Sequence, residues 1–153
     1  MATFRNLITM ATMVMALTAV APTAVASAQA PAASARHHTL HLAKECSGFT
    51  GQPGSYCTFT ASNLAAIPVG ARATYFGPVL GPARISSRVV IDAGHGTTAT
   101  GFCNLDLSTF LGRCTFSRGT GALAGFEAEL KVTLDFATGW FHWDGPYELD
   151  GRD

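Results

Sequence analysis

Charged residues are scarce in this chain. They make up 13% of its 153 residues, about half of the usual share, and ten Lys and Arg are balanced by ten Asp and Glu. The sequence has neither a basic patch nor an acidic run, so it lacks the charge pattern of a protein that binds nucleic acid or an anionic membrane surface. Hydrophobic residues reach 48%. Such a chain either buries a large core or lines an apolar pocket.

The usual catalytic and cofactor motifs are also missing. There is no GxSxG elbow, phosphate-binding loop, HExxH pair or EF-hand loop. The cysteines do not have the short CxxC spacing of zinc sites, so no metal is predicted. Because the cofactor motifs are missing, no cofactor is predicted either. The glycines of Gly119–Gly125 are spaced one residue too widely for a dinucleotide loop, and a strand pattern follows them. They predict a backbone bend.

A long apolar run occurs only near the amino terminus. Arg5, the uncharged stretch 7–20 and the small residues Ala26-Ser27-Ala28 together are typical of a secretory signal peptide covering residues 1–28. A membrane anchor is the less favoured alternative, because the run is short and is interrupted at Pro22. We therefore expect a secreted or periplasmic protein with a flexible leader (29–38), one domain (39–153) and no membrane span in the mature chain.

Four cysteines follow the predicted signal peptide, which favours disulfides over free thiols. Cys46 and Cys57 lie eleven positions apart, and so do Cys103 and Cys114. Turn-like residues occupy the middle of each interval, and residues placed symmetrically about a hairpin turn face each other. The pairing Cys46–Cys57 with Cys103–Cys114 is therefore preferred, although the other two connectivities remain open.

Apolar and polar residues alternate along most of the chain. The clearest case is 126–136, where Phe126 and Phe136 begin and end the apolar face and Glu127 and Glu129 lie on the polar face. This period of two predicts strands with one buried face. The other predicted strands are 39–46, 56–61, 71–76, 85–92, 97–107, 113–118 and 140–149. No segment has a helical period, so we predict an all-β fold, a single antiparallel eight-stranded β-barrel, since closure leaves no open sheet edge. Glu127 and Glu129 should face solvent, which disfavours a paired-carboxylate site.

The chain also resembles a known family. The features that carry the likeness are Thr98-Ala99-Thr100-Gly101 with Cys103, Gly112-Arg113-Cys114-Thr115-Phe116, Gly119-Thr120-Gly121, Gly125-Phe126, Trp143-Asp144-Gly145-Pro146-Tyr147 and the segment 63–70. In these the chain is similar to the bacterial branch of the allene oxide cyclase barrel-like superfamily, whose fold is also dirigent-like. The resemblance implies an eight-stranded barrel with an apolar interior, and dimers or trimers. Plant members cyclise an unsaturated epoxide, some bacterial relatives close polyketide rings, and dirigent proteins steer radical coupling. It assigns no catalytic residue here.

Aromatic residues on the predicted inward faces are the candidate ligand-binding residues. Aromatic side chains at a barrel mouth can shape a site for an apolar ligand, and they can equally fill the core. The set is Phe59, Tyr75, Phe116, Phe126, Phe141, Trp143 and Tyr147. The sequence favours a binding protein for a small apolar molecule. The alternatives are a cofactor-free cyclase or isomerase, and a structural envelope-associated barrel with a solid interior.

Overall fold

The structure, a computed structural model, describes residues 38–80 and 83–149. The predicted signal peptide and the predicted leader up to residue 37 lie outside these ranges. Nine strands occur in the described residues: β1 (His38–Glu45), β2 (Tyr56–Ser62), β3 (Arg72–Tyr75), β4 (Val79–Leu80), β5 (Arg84–Asp92), β6 (Thr98–Asp106), β7 (Leu111–Thr120), β8 (Glu127–Asp135) and β9 (Trp140–Glu148). Eight of them match the strands that the alternation predicts, within a few residues at each end.

The strands form one antiparallel sheet that closes on itself. The order is β3-β2-β1-β9-β8-β7-β6-β5, and β3 also pairs with β5 to complete the ring. The two-residue strand β4 pairs only with the start of β5 and is not needed for closure. The predicted antiparallel eight-stranded barrel is confirmed. In the described part of the chain, the only helical element is a 3-10 turn at Gly121–Leu123, and no helix is suited by length and hydropathy to cross a membrane.

Both predicted disulfides are present. Cys46 is bonded to Cys57 and Cys103 to Cys114. Cys103 and Cys114 are direct register partners on β6 and β7, and the other bridge lies one position beyond the Glu45–Thr58 pair of β1 and β2. Each bridge therefore ties the two arms of a hairpin close to its turn. In the ring of eight strands, the β1–β2 and β6–β7 hairpins lie opposite each other.

These two hairpins share further features. The β1–β2 register skips Thr60, and the β6–β7 register skips Ser117, so each hairpin has a one-residue bulge three positions after its second cysteine. Phe59 and Phe116, which precede the bulged residues, approach Trp143 with ring centroids 5.7 and 5.6 Å away. The repeated sequence Cys-Thr-Phe-Thr/Ser thus corresponds to a repeated structure on two sides of the barrel.

Large side chains fill the barrel from its middle to the end at which the 3-10 turn lies. Trp143, Phe59 and Phe126 are almost completely buried, and Phe116 and Tyr147 pack against Phe126. The predicted bend before β8 is confirmed, since Gly121 and Gly125 have φ of 60° and 74°.

The prediction that Phe136 faces inward is wrong. Phe136 is 77% exposed, because β8 ends at Asp135 and the chain turns there. The Asp135 carboxylate accepts hydrogen bonds from the Ala137 amide and the Thr138 hydroxyl, which fixes that turn. The side-chain alternation therefore stops one residue before Phe136.

Candidate functional site

A small cavity lies inside the barrel at the end opposite the 3-10 turn. Its volume is about 50 Å³. That is several times the roughly 10–15 Å³ that one water molecule needs, so it suits a water cluster or a small organic group. Its walls are the two disulfides and the side chains of Phe49, Ile85, Leu105, Leu107, Val132 and Phe141, together with Lys44, Tyr75 and Trp143.

Lys44 on β1 is the unusual member of this wall. Its side chain lies inside the barrel and the residue is only 3% exposed. The pleat of β1 places Leu40, Leu42 and Lys44 on the same inward face, and Lys44 pairs across the sheet with Phe141. A lysine is almost never fully buried unless a charged partner accompanies it. No carboxylate lines this cavity in the described residues.

The Lys44 amine is surrounded by aromatic rings and one hydroxyl. Its Nζ donates a hydrogen bond to Tyr75 Oη and lies 3.9 Å from Cys46 Sγ. It is 4.5 Å from the ring centroid of Trp143, 4.9 Å from that of Tyr75 and 5.5 Å from that of Phe141. These ring faces attract an ammonium ion, but they replace only part of the hydration that the charge loses.

Burial changes the protonation of both polar groups. It lowers the pKa of Lys44 from 10.5 to about 7, because the apolar surroundings penalise the ammonium form. It raises the pKa of Tyr75 for the same reason, so that hydroxyl keeps its proton. At neutral pH, Lys44 is therefore divided between the ammonium and the free amine. An amine in that state can donate a hydrogen bond, accept a proton or attack an electrophile.

Trp143, which also lines the cavity, carries a buried polar atom. Its indole N–H is buried and has no hydrogen-bond partner among the described residues. A buried donor without a partner costs the folded state about 1–3 kcal/mol.

The seven predicted ligand-binding aromatics divide into two groups. Tyr75, Phe141 and Trp143 line the cavity. The remaining four, Phe59, Phe116, Phe126 and Tyr147, lie outside its lining and belong to the packed core or contact it. Three of the predicted residues therefore border the cavity, and four pack in or against the core. Ligand binding by the first three stays a prediction.

Lys44 was not among the predicted site residues. The sequence does indicate it, because Lys44 lies two positions from each of the inward residues Leu42 and Cys46 and so belongs to the same strand face. A charged residue at an inward position of a strand without a nearby carboxylate is itself a pointer to a special environment.

Glu127, Glu129, His41 and Asp144 lie away from the cavity. Glu127 and Glu129 are exposed, as predicted, and Glu129 forms an ion pair with Arg113 on the outer surface. His41 Nδ1 lies 2.7 Å from an Asp144 carboxylate oxygen, also on the outside. No group of three or more His, Cys, Asp or Glu side chains is placed to hold a metal ion in the ranges described.

Aromatic residues from two turns border the same end of the barrel. Phe110, in the β6–β7 turn, contacts Phe136 at 5.7 Å and Phe141 at 6.4 Å between ring centroids. Phe110 has φ of 56°, a conformation that costs a bulky residue energy. The strained turn thus holds an aromatic ring against Phe141, which itself lines the cavity.

Comparisons with protein-family models, curated proteins and solved structures found no match to this chain. The resemblance to allene oxide cyclase-like proteins therefore stays a prediction, and the inference of function starts from the cavity.

Proposed function

We propose that this chain is a binding protein that takes a small, mostly apolar molecule into the cavity end of the barrel. The ligand presents one hydrogen-bonding oxygen to Lys44 and Tyr75, and its apolar part lies against the surrounding side chains. The observation that carries this proposal is an apolar cavity in which a buried amine and a hydroxyl are hydrogen-bonded to each other. Apolar walls with a few convergent polar groups are the usual composition of small-molecule sites.

The size of the cavity limits the ligand. A volume of about 50 Å³ suits a molecule or end group of a few heavy atoms. Phe49, Leu107 and Phe141 on its wall are half-buried, so the cavity reaches towards the surface at this end. A longer ligand would place its tail among these side chains and the exposed ring of Phe136.

A cavity-filling variant tests the proposal. Val132 lines the cavity and is 2% exposed, so Val132→Leu adds one methylene group to the space the ligand would use. Val89→Leu is the matched control, because Val89 is fully buried but does not line the cavity. Butan-1-ol is titrated into each protein by calorimetry and by thermal shift.

One variant should change the affinity for butan-1-ol, and the other should change Tm. Val132→Leu should weaken butan-1-ol binding at least about fivefold with little change in Tm, because the extra group fills space. Val89→Leu should lower Tm, since overpacking costs about 1–3 kcal/mol, and leave the affinity unchanged. Absence of butan-1-ol binding to the unmodified protein, or equal affinity in all three proteins, would reject the cavity as the ligand site.

A cofactor-free cyclase or isomerase is the second candidate function. Its support is the Lys44–Tyr75 pair, because an amine and a hydroxyl beside a cavity can move a proton to and from an enclosed substrate. It also follows from the resemblance to allene oxide cyclase-like barrels. Turnover of an unsaturated epoxide that is lost in Tyr75→Phe at saturating epoxide would favour this function over simple binding. A structural envelope-associated barrel is less well supported, since only part of the interior is filled.

Secretion is part of the same proposal. Two disulfides are compatible with an extracellular or periplasmic location, where such bonds persist. The predicted signal peptide supports it further, and recovery of the chain starting at Gln29 from the medium or periplasm would test it. Dimers or trimers, which the resemblance implies, stay a prediction that light scattering can check.

A further inference from the structure

We propose that Lys44 captures a small apolar aldehyde or ketone as a Schiff base inside the cavity. This inference rests on the proposed function, because the carbonyl compound must first bind as the small apolar ligand. Lys44 is the one amine that lines the cavity, and the described residues around it offer no carboxylate that would hold it as a permanent ammonium ion.

The chemistry balances without an oxidant or a cofactor. The Lys44 nitrogen attacks the carbonyl carbon, the C–N bond forms, and the carbonyl oxygen takes up a proton to give a carbinolamine. The C–O bond then breaks and the oxygen leaves as water. The two hydrogens of that water come from the amine, so the net change is amine plus carbonyl to imine plus water.

The surroundings of Lys44 favour each part of this reaction. About half of the lysines with a pKa near 7 carry a neutral amine at pH 7, whereas a lysine in water, with a pKa near 10.4, is neutral in under about one part in a thousand. The Tyr75 hydroxyl is hydrogen-bonded to the amine and keeps its proton, so it can donate to the departing oxygen. Among the described residues, Lys44 and Tyr75 are the only ones lining the cavity that titrate, because all four cysteines there are disulfide-bonded.

The sequence supplies an internal control. Lysine occurs at only two positions, 44 and 131. Lys131 lies on β8 with its side chain exposed, so it reports how fast an ordinary surface lysine reacts in the same tube. The amino-terminal amine provides a second reference.

The experiment uses the disulfide-bonded mature protein with butanal and sodium cyanoborohydride at pH 7. Intact-mass measurement counts the reduced adducts, and peptide mapping locates them. We expect the adduct at Lys44 to form at least about tenfold faster than the adduct at Lys131, on the basis of the neutral fractions above. Lys131→Arg should leave the Lys44 adduct unchanged. Lys44→Met should remove that adduct and leave the one at the amino terminus, while circular dichroism shows the fold intact.

Tyr75→Phe tests the role of the hydroxyl in the capture step. It keeps the ring and removes the hydroxyl, so the rate of adduct formation at Lys44, measured at saturating butanal, should fall about tenfold or more. An unchanged rate in Tyr75→Phe would overturn the role of the hydroxyl.

The alcohol also distinguishes failure of this inference from failure of the proposed function. If butan-1-ol binds but butanal modifies Lys44 no faster than Lys131, the Schiff base is rejected and the binding function stands. If neither compound binds, both proposals fall.

Discussion

Replacing Lys44 by Met should stabilise the protein at neutral pH. A lysine whose pKa falls from 10.5 to about 7 on folding costs the folded state about 4 kcal/mol at pH 7, at roughly 1.4 kcal/mol per pKa unit. Met has a similar length and no charge to desolvate. The variant loses the hydrogen bond to Tyr75 and leaves that hydroxyl unpaired, which costs about 1–3 kcal/mol. The expected net gain is therefore about 1–3 kcal/mol.

The gain should depend on pH in a defined direction. Between pH 7 and about 10.5 the unfolded chain holds a proton on Lys44 that the folded chain has released, so the stability of the unmodified protein rises with pH in this window. The advantage of Lys44→Met should shrink from pH 7 to pH 10 and vanish or change sign. Above pH 10 the raised pKa of Tyr75 acts the other way, since the unfolded chain then loses a proton that the folded chain keeps.

The assay is urea unfolding at pH 7, 8, 9 and 10, followed by tryptophan fluorescence. Lys131→Met is the matched control, because this exposed lysine should give less than about 0.5 kcal/mol at every pH. The reasoning is refuted if Lys44→Met loses stability at pH 7, or if its difference from the unmodified protein is the same at all four pH values.

Three further results are expected. Removing the Cys103–Cys114 bridge by replacing both residues with Ser should cost about 2–3 kcal/mol, measured by thermal unfolding, because the loop it closes is short. Gly145→Ala should destabilise by more than 1 kcal/mol in the same assay, since a Cβ there would clash with a backbone carbonyl oxygen of β8. Phe136→Ser should change stability by less than about 0.5 kcal/mol, whereas Phe126→Ala should cost about 3–5 kcal/mol. Equal losses at the two phenylalanines would contradict the burial described above.

The fold could be predicted from the sequence because one physical signal repeats in every strand. Alternation with a period of two shows which face of a strand is buried, and it predicted eight strands close to their observed positions. The same signal fails at strand ends, as at Phe136, because it does not register where a turn begins. The strand β4 was not predicted either, since two residues between Gly-Pro pairs are too few to show a period.

The candidate site was less predictable for a different reason. Whether an inward aromatic side chain fills the core or borders a cavity depends on its position along the barrel axis. The alternation of apolar and polar residues carries no information about that position. Tyr75 and Phe59 are both inward and aromatic, yet only Tyr75 lines the cavity. Lys44 could have been identified from the alternation alone, because its position in the strand faces inward whatever its charge. The lowering of its pKa could not be predicted without knowing which side chains surround it.

On the proposed function, the opposed positions of the two disulfides restrict how a ligand would reach Lys44. Each bridge cross-links the arms of its own hairpin on one side of the cavity, so those arms cannot part from each other to widen the entrance. Entry of a ligand would instead depend on rotation of single side chains such as Phe49 and Phe141. The barrel would then select ligands by width, so adding a branch to a compound should weaken its binding more than lengthening it.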